Sequence, residues 1–318
     1  MSAILVTGGA GFIGSHLCER LVGLDREVIC LDNFNNNYDP SVKRANIQKA
    51  LQHPRFELIE GDILDHHRIE NVMAGRNIDT VVHLAALAGV RGSIRTPADY
   101  VDVDIKGTVM LLEACKKHGV RRFVFASSSS VYGTCRPPFR EDLPITAQTS
   151  PYAVAKYSGE LFCRMYSLLF GIQAVCLRFF TVYGPRQRPD MAIHIFTRAI
   201  EEGREICIYG DGNSSRDYTY VGDIVDGIAA SMNLQCSFET INLGNSRPVG
   251  IMDLVKVIES KVGRKAMIRF IPEQQGDVPA TRADLSRAAA LLGYSPKVEL
   301  AEGIEKFVKW RRQASESQ

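Results

Sequence analysis

The chain predicts a parallel, doubly wound α/β sheet followed by a smaller C-terminal α/β region. Three observations carry this expectation. Short, nearly continuous apolar runs alternate with helical stretches through the first 180 residues, as strands covered on both faces require. A glycine-rich turn joins the first run to the first helical stretch. Beyond Arg178 the rhythm breaks into a looser region punctuated by Gly184-Pro185, Arg188-Pro189 and Gly210-Asp211-Gly212. The expected division is 1–180 for the sheet domain, with 217–245 packing back on it, and 181–318 for the smaller region.

The strand candidates, in order, are Ala3–Thr7, Glu27–Asp32, Phe56–Asp62, Thr80–Ala86, Arg122–Ser128 and Gln173–Arg178, each apolar enough to be buried on both faces. Between them lie helical patterns over Phe12–Val22, Pro97–His118 and Pro151–Phe170. Pro97 and Pro151 suit a first helical position, and Ser150 suits the N-cap before Pro151. This βαβ rhythm implies right-handed crossovers. Later helices are expected over Ala192–Glu202, Val221–Met232, Ile251–Val262 and Leu300–Arg312.

Composition narrows the function. At 318 residues, 45% hydrophobic and 23% charged, the chain can bury a sizeable core. Lys+Arg 38 against Asp+Glu 36 leaves +2, so no strong field points to nucleic acid or an anionic membrane. The eight cysteines have no CxxC spacing and the His66-His67 pair has no HExxH context, so no metal site is expected. No apolar run approaches the roughly 18 residues of a membrane span. Glycines from Gly8 onward interrupt any signal-peptide pattern. A cytoplasmic protein is expected.

Thr7-Gly8-Gly9-Ala10-Gly11-Phe12-Ile13-Gly14 follows the first strand and opens the first helix, and Gly9, Gly11 and Gly14 fit G-x-G-x-x-G. Such a turn lets a pyrophosphate approach the backbone, and the helix N-terminus offers the anion unpaired N–H groups. Asp32 ends the second strand about 20 residues on, where a carboxylate would bond ribose hydroxyls and repel a 2′-phosphate, favouring NAD over NADP. A turn or cap aspartate is the plainer alternative at Asp32, and Asp62 is as readily a turn residue as an adenine contact. A Rossmann-like cofactor site is therefore expected from Gly8, Gly11, Phe12, Ile13, Gly14, Asp32, Asn33, Asp62, Ile63, Leu84, Ala85 and Ala86, with Tyr152 and Lys156 closing it.

Tyr152 and Lys156 stand four apart on one helix face; of the eleven tyrosines, no other has Lys four residues later. A free phenol titrates near about 10, so a phenol acting as a base near neutrality needs a cation beside it. A unit charge at about 4 Å supplies about 4 kcal/mol at an effective dielectric of about 20. An exposed helix face would explain YxxxK alone. The fifth strand, however, ends in Ser127-Ser128-Ser129-Ser130, and the carboxyl ends of parallel strands are where ligands bind. Serines capping backbone are the alternative there; with Tyr152 and Lys156 they read better as hydroxyls that orient a substrate alcohol.

TGGAGFIG, Asp32, His83-Leu84-Ala85-Ala86, SSSSVYG and SPYAVAK, in this order and spacing, resemble the extended short-chain dehydrogenase/reductase family that acts on nucleotide sugars. The resemblance covers nearly the whole chain. It implies that Tyr152 is the base, that Lys156 acidifies it and holds the nicotinamide ribose, and that Ser128 bonds the reacting hydroxyl, with Ser127 and Ser129 as fallbacks. Relatives that eliminate water or decarboxylate carry carboxylates just before Val-Tyr-Gly, where this chain has Ser129 and Ser130. Nor does a Cys or His stand there for a reductive epimerase. What remains is reversible oxidation at sugar C4, hence 4-epimerisation.

The segment from Arg178 to Ala192 is similar to that of UDP-glucuronate 4-epimerases, with Thr181-Val182 where galactose epimerases tend to have Asn-Pro. Arg186 and Arg188 follow; a guanidinium fork matches a carboxylate, so Arg188, with Thr181, is expected to hold a C6 carboxylate. A solvated basic loop or a diphosphate contact is the alternative. Arg216 and Asp277 resemble nucleotide-contacting positions. Gln274 and Gln275 stand where many relatives have an arginine, for which Arg91 or Arg282 could substitute, and Asp104 stands where relatives commonly have Asn. The resemblance implies a UDP-sugar substrate, most closely UDP-glucuronate, tightly held NAD and a homodimer pairing the Pro97–His118 and Pro151–Phe170 helices. UDP-galactose or UDP-N-acetylhexosamine epimerisation is the alternative chemistry, and a dinucleotide-sensing protein the non-enzymatic one.

Overall fold

A computed structural model describes residues 2–316. Seven parallel strands form one sheet: β1 (Ala3–Thr7), β2 (Glu27–Asp32), β3 (Phe56–Glu60), β4 (Ile78–His83), β5 (Arg122–Ser128), β6 (Gln173–Phe179) and, from far along the chain, β10 (Phe238–Leu243). Their order is β10-β6-β5-β4-β1-β2-β3. The chain runs outward from β1 to β3, returns to β4 and runs out the other way. Loops after β1 and β4 therefore diverge, which opens a crevice at the carboxyl ends of the strands. Side-chain alternation splits the core. Ile4 and Val6 of β1 pack under α1 (Phe12–Val22) and α10 (Val221–Ser231). Leu5 packs on the other face with Leu111 of α7 (Gly107–His118) and Cys163 of α8 (Pro151–Phe170).

Two expectations are corrected. The third strand is not buried on both faces. It is the sheet edge, ends at Glu60, and alternates half-buried positions with exposed Glu57 and Glu60. Nor is Pro97–His118 a uniform α-helix. It comprises α6 (Pro97–Tyr100), a π-helical turn over Val101–Lys106 and α7. The remaining helices of this half are α2 (Pro40–Asn46), α3 (Gln48–Leu51), α4 (His66–Met73) and α5 (Val90–Arg95). The start of α8 follows its sequence signals: the Ser150 side chain accepts a hydrogen bond from Ala153 N–H, and Pro151 occupies the first turn.

The second half builds a separate small core around Phe196, Leu254, Ile258 and Phe307. It comprises β7 (Thr181–Tyr183), α9 (Ala192–Glu202), β8 (Glu205–Tyr209), β9 (Ser215–Tyr220), β11 (Pro248–Gly250), α11 (Ile251–Val262), β12 (Met267–Ile271), α12 (Ser286–Leu292) and α13 (Leu300–Glu316). β7, β9 and β11 form a three-stranded sheet and β8 pairs with β12. Among the described residues, no helix is long and apolar enough to cross a membrane. All eight cysteines are free thiols.

Candidate active site

Two cavities meet at the carboxyl end of the sheet. The first is lined by the turn after β1 (Gly8, Gly11, Phe12, Ile13, Gly14), by Asp32 and Asn33 after β2, by Gly61 and Ile63, by Leu84, Ala85 and Ala86 after β4, and by Tyr152 and Lys156. Its cradle depends on missing side chains. Gly8 has φ +69, and a Cβ there would lie 2.7 Å from Ala85 N. A Cβ at Gly14 would lie 2.2 Å from the Gly8 carbonyl. Gly9, fitted by sequence to the first glycine of the motif, faces down instead, onto the thiols of Cys18 and Cys30. The close-approach position is thus Gly8.

Asp32 is buried, and its carboxylate orders the turn by accepting from Ala10 N (3.0 Å) and Phe34 N (2.9 Å). Asp62 is placed differently from its neighbours Gly61 and Ile63. Its carboxylate closes a turn on Leu64 N (2.8 Å) and accepts from Asn33 Nδ2 (2.8 Å). Sequence reasoning missed Asn35, Asn37, Tyr38 and Lys43, which line this cavity. Lys43 is buried, 3.9 Å from Asp32, and donates to Asn35 Oδ1 (2.7 Å). The available signal was the polar, unpatterned run Asn33–Tyr38 directly after β2.

The second cavity adjoins the first and is lined by Ser127 to Ser130, Tyr152, Thr181, Arg188, Arg216 and Asp277, among others. The serines differ sharply. Ser127 is buried and donates to Glu160 Oε1 (2.5 Å), which also accepts from Arg178 Nε (2.9 Å). Its proton is committed. Ser128 Oγ accepts from Ser130 N (3.2 Å) and Ser130 Oγ (2.9 Å). Its own proton stays available as a donor. Arg178 stacks over the Tyr132 ring (4.7 Å) and binds Glu160 on both oxygens.

Arg188 lines both cavities. Asp190 engages its Nε (2.9 Å) and Nη2 (3.0 Å), leaving the Nη1 end of the fork open. The two groups hold each other charged: against partial desolvation, the Arg188 guanidinium keeps the exposed Asp190 carboxyl below its ordinary range. Arg186 is a correction. Its backbone adopts φ 65, and its guanidinium turns to Glu19 of α1 (2.5 Å), away from the cavities. Arg91 stands at the rim, paired with Asp277 (3.2 Å) and stacked over Tyr209 (4.4 Å). Arg216 donates to Ser215 O (2.9 Å).

Lys156 is buried, with Nζ 5.8 Å from the Tyr152 ring centroid and 3.7 Å from Asp104 Oδ2. Behind it runs a hydrogen-bonded chain. Thr108 Oγ1 donates to Asp104 O (2.6 Å), so it accepts from His83 Nε2 (3.0 Å). His83 Nδ1 then accepts from Thr7 Oγ1 (2.8 Å). This logic requires a neutral imidazole, and burial, reinforced by the charge of Lys156, pushes the His83 pKa down to about 3.

A family model described as the NAD dependent epimerase/dehydratase family matches residues 4–244. The chain is 39% identical over 314 residues to a UDP-glucuronate 4-epimerase of Thermodesulfobacterium geofontis, covering 98% of this chain and 97% of that one. It superposes with TM-score 0.92, at 40% identity, on a UDP-glucuronic acid 4-epimerase of Bacillus cereus crystallised with UDP-glucuronic acid and NAD, covering 98% and 99% of the two chains. A UDP-N-acetylglucosamine 4-epimerase of Methanobrevibacter ruminantium in complex with UDP-N-acetylmuramic acid is similar at TM-score 0.90 and 31% identity, covering 98% and 99%.

Proposed function

The chain belongs to the NAD-dependent epimerase/dehydratase family, and from that premise we propose that it is an NAD-dependent UDP-sugar 4-epimerase that interconverts UDP-glucuronate and UDP-galacturonate. The observation that carries the reading is the wall shared by the two cavities: Tyr152 and Arg188 face both, and Ser128 lines the second. A base and a guanidinium thus stand where a cofactor and a substrate would meet, with a free hydroxyl on the substrate side. The residues present fit NAD. Gly8 and Gly14 leave a cradle that a Cβ would fill, and Asp32 sets a carboxylate in the same cavity. Gly8 to Gly14 would hold the pyrophosphate, Asp32 the adenosine ribose and Lys156 the nicotinamide ribose.

In this mechanism Tyr152 removes the C4 hydroxyl proton while Ser128 donates to the same oxygen. NAD, when bound, supplies the acceptor that takes the two electrons and the hydrogen of C4 and returns them. Lys156 stabilises the phenolate. The 4-keto sugar turns about its diphosphate linkage, Tyr152 returns the proton, and C4 is reduced on its opposite face. Arg188, with Thr181, holds the C6 carboxylate, and Arg216 holds the diphosphate. We read residues 1–180, with β10 and α10, as the cofactor half and the remainder as the nucleotide-sugar half.

Val154, Leu161 and Leu168, at seven-residue spacing on α8, are roughly half exposed or more, as is Val101 on the neighbouring helical run. Such an apolar stripe suits a homodimer closing α8 and the Pro97–His118 run against a second copy. A reducing cytoplasm suits eight free thiols. The deciding experiment incubates the protein, without added NAD, with UDP-glucuronate, UDP-galactose and UDP-N-acetylglucosamine in turn and identifies products by NMR. UDP-galacturonate is the expected product. Turnover of the neutral sugars alone overturns the uronate assignment.

A further inference from the structure

We propose that Asp104 is an internal counter-ion of Lys156, a positioning residue that anchors the ammonium from behind and restrains ionisation of Tyr152. The inference rests on the reading of Tyr152 as the base. Asp104 lies in the π-helical turn Val101–Lys106. Such a turn inserts an extra residue, changes which side chains face inward, and is frequent at functional sites. Here it turns a carboxylate into the core, where Asp104 is 1% exposed. One oxygen is satisfied: Oδ1 accepts from Leu87 N at 2.7 Å, tying the helix to the loop after β4. The other, Oδ2, is buried without a hydrogen-bond partner and stands 3.7 Å from Lys156 Nζ.

An orphaned carboxylate oxygen in a dry interior is costly unless a charge answers it. Lys156 is the group that answers. Around the pair stand Tyr152 from α8, Tyr100 from the same helical run as Asp104, His83 from β4 and Arg188 from the loop after β7. His83 is held neutral, and the guanidinium of Arg188 is engaged by Asp190. Asp104 is therefore the anion facing Lys156. Two consequences follow from sign alone. The carboxylate pairs with the ammonium that a phenolate partner requires. It also opposes a second negative charge forming on Tyr152. Burial pushes the Asp104 carboxyl upward and Lys156 pulls it back, so the pair stays charged only while both members are present.

The test is Asp104→Asn, which keeps shape and the Leu87 contact while removing the charge. A buried anion 3.7 Å behind the ammonium, at an effective dielectric of about 20, moves the titration of a group beyond that ammonium by about one pH unit after screening. The acid limb of the kcat/KM profile should therefore move to lower pH by about that amount. The tyrosinate absorbance that vanishes in Tyr152→Phe should move with it. An unmoved titration, or movement to higher pH, overturns the proposal. A second variant needs no change at Asp104. Lys156→Met strands the carboxylate, so its loss of melting temperature relative to wild type should grow as pH rises from about 5 to 8. A loss independent of pH overturns the proposal. If the wild type epimerises none of the sugars while both signals appear, the proposed function falls and the Asp104–Lys156 pairing stands.

Discussion

Arg188 offers the sharpest test of substrate choice. Replacing it with Met removes the guanidinium and keeps much of the aliphatic stem. Two of its nitrogens, Nε and Nη2, bind Asp190, and the residue lines both cavities of the site. The structural cost is small, because the side chain of Asp190 is 59% exposed and finds water once freed; exposed pairs are worth about 0–1 kcal/mol. The functional cost is larger. Losing a bidentate, charge-assisted contact to a carboxylate costs about 3 kcal/mol, which is about 150-fold in kcat/KM. Steady-state kinetics on UDP-glucuronate should show this loss, while calorimetry with UDP, which lacks the sugar carboxylate, should show affinity within about threefold of wild type. An equal loss of UDP affinity would mean that Arg188 supports the fold of the loop. Unchanged turnover of UDP-glucuronate would remove it from substrate recognition.

Gly14→Ala places a methyl 2.2 Å from the Gly8 carbonyl, so the turn must open and the purified protein should release little or no nicotinamide nucleotide on denaturation; full occupancy by chromatography would refute the cradle. Glu160→Gln leaves the guanidinium of Arg178 buried without its counter-charge and should cost about 3–5 kcal/mol in urea denaturation; a loss below about 1 kcal/mol would show that Tyr132 and water suffice. His83 binds its proton less readily when folded than when unfolded, because burial lowers its pKa to about 3. The unfolded chain therefore takes up protons first, stability is full above about pH 6.5, and it falls as pH drops below that, on the order of 2 kcal/mol by pH 5. His16 acts in the same direction; His83→Gln should flatten the dependence of melting temperature on pH. Leu161→Arg, on the exposed stripe of α8, should convert the expected dimer to a monomer in light scattering, and an unchanged mass would place the interface elsewhere.

Local chemistry made much of this legible in the chain. Strand–glycine–helix at residues 3–22 is a contiguous pattern, and its apolar period, its turn and its following helix each restrict the backbone before any long-range contact forms. Ser150-Pro151 announces α8 for the same reason, and four-residue spacing alone sets Tyr152 and Lys156 on one face. The edge position of β3 was not legible, since an apolar run does not say which neighbours will cover it; that depends on where the chain reverses around β1.

The side-chain partnerships belong to the tertiary structure. Four consecutive serines look alike in sequence. Only the approach of α8 and β6 commits Ser127 to Glu160 and leaves the Ser128 proton uncommitted. Arg186 and Arg188 stand two residues apart, yet a left-handed residue at 186 sends one to Glu19 and leaves the other at the cavities. Asp104 carries no local mark of its role, because its partner Lys156 lies on another helix and the π turn that aims it inward has no sequence period of its own. Backbone preferences act over a few residues and can be read in order. Charge and hydrogen-bond pairing act through space, and the partners exist only once the sheet has brought distant segments within a few ångströms.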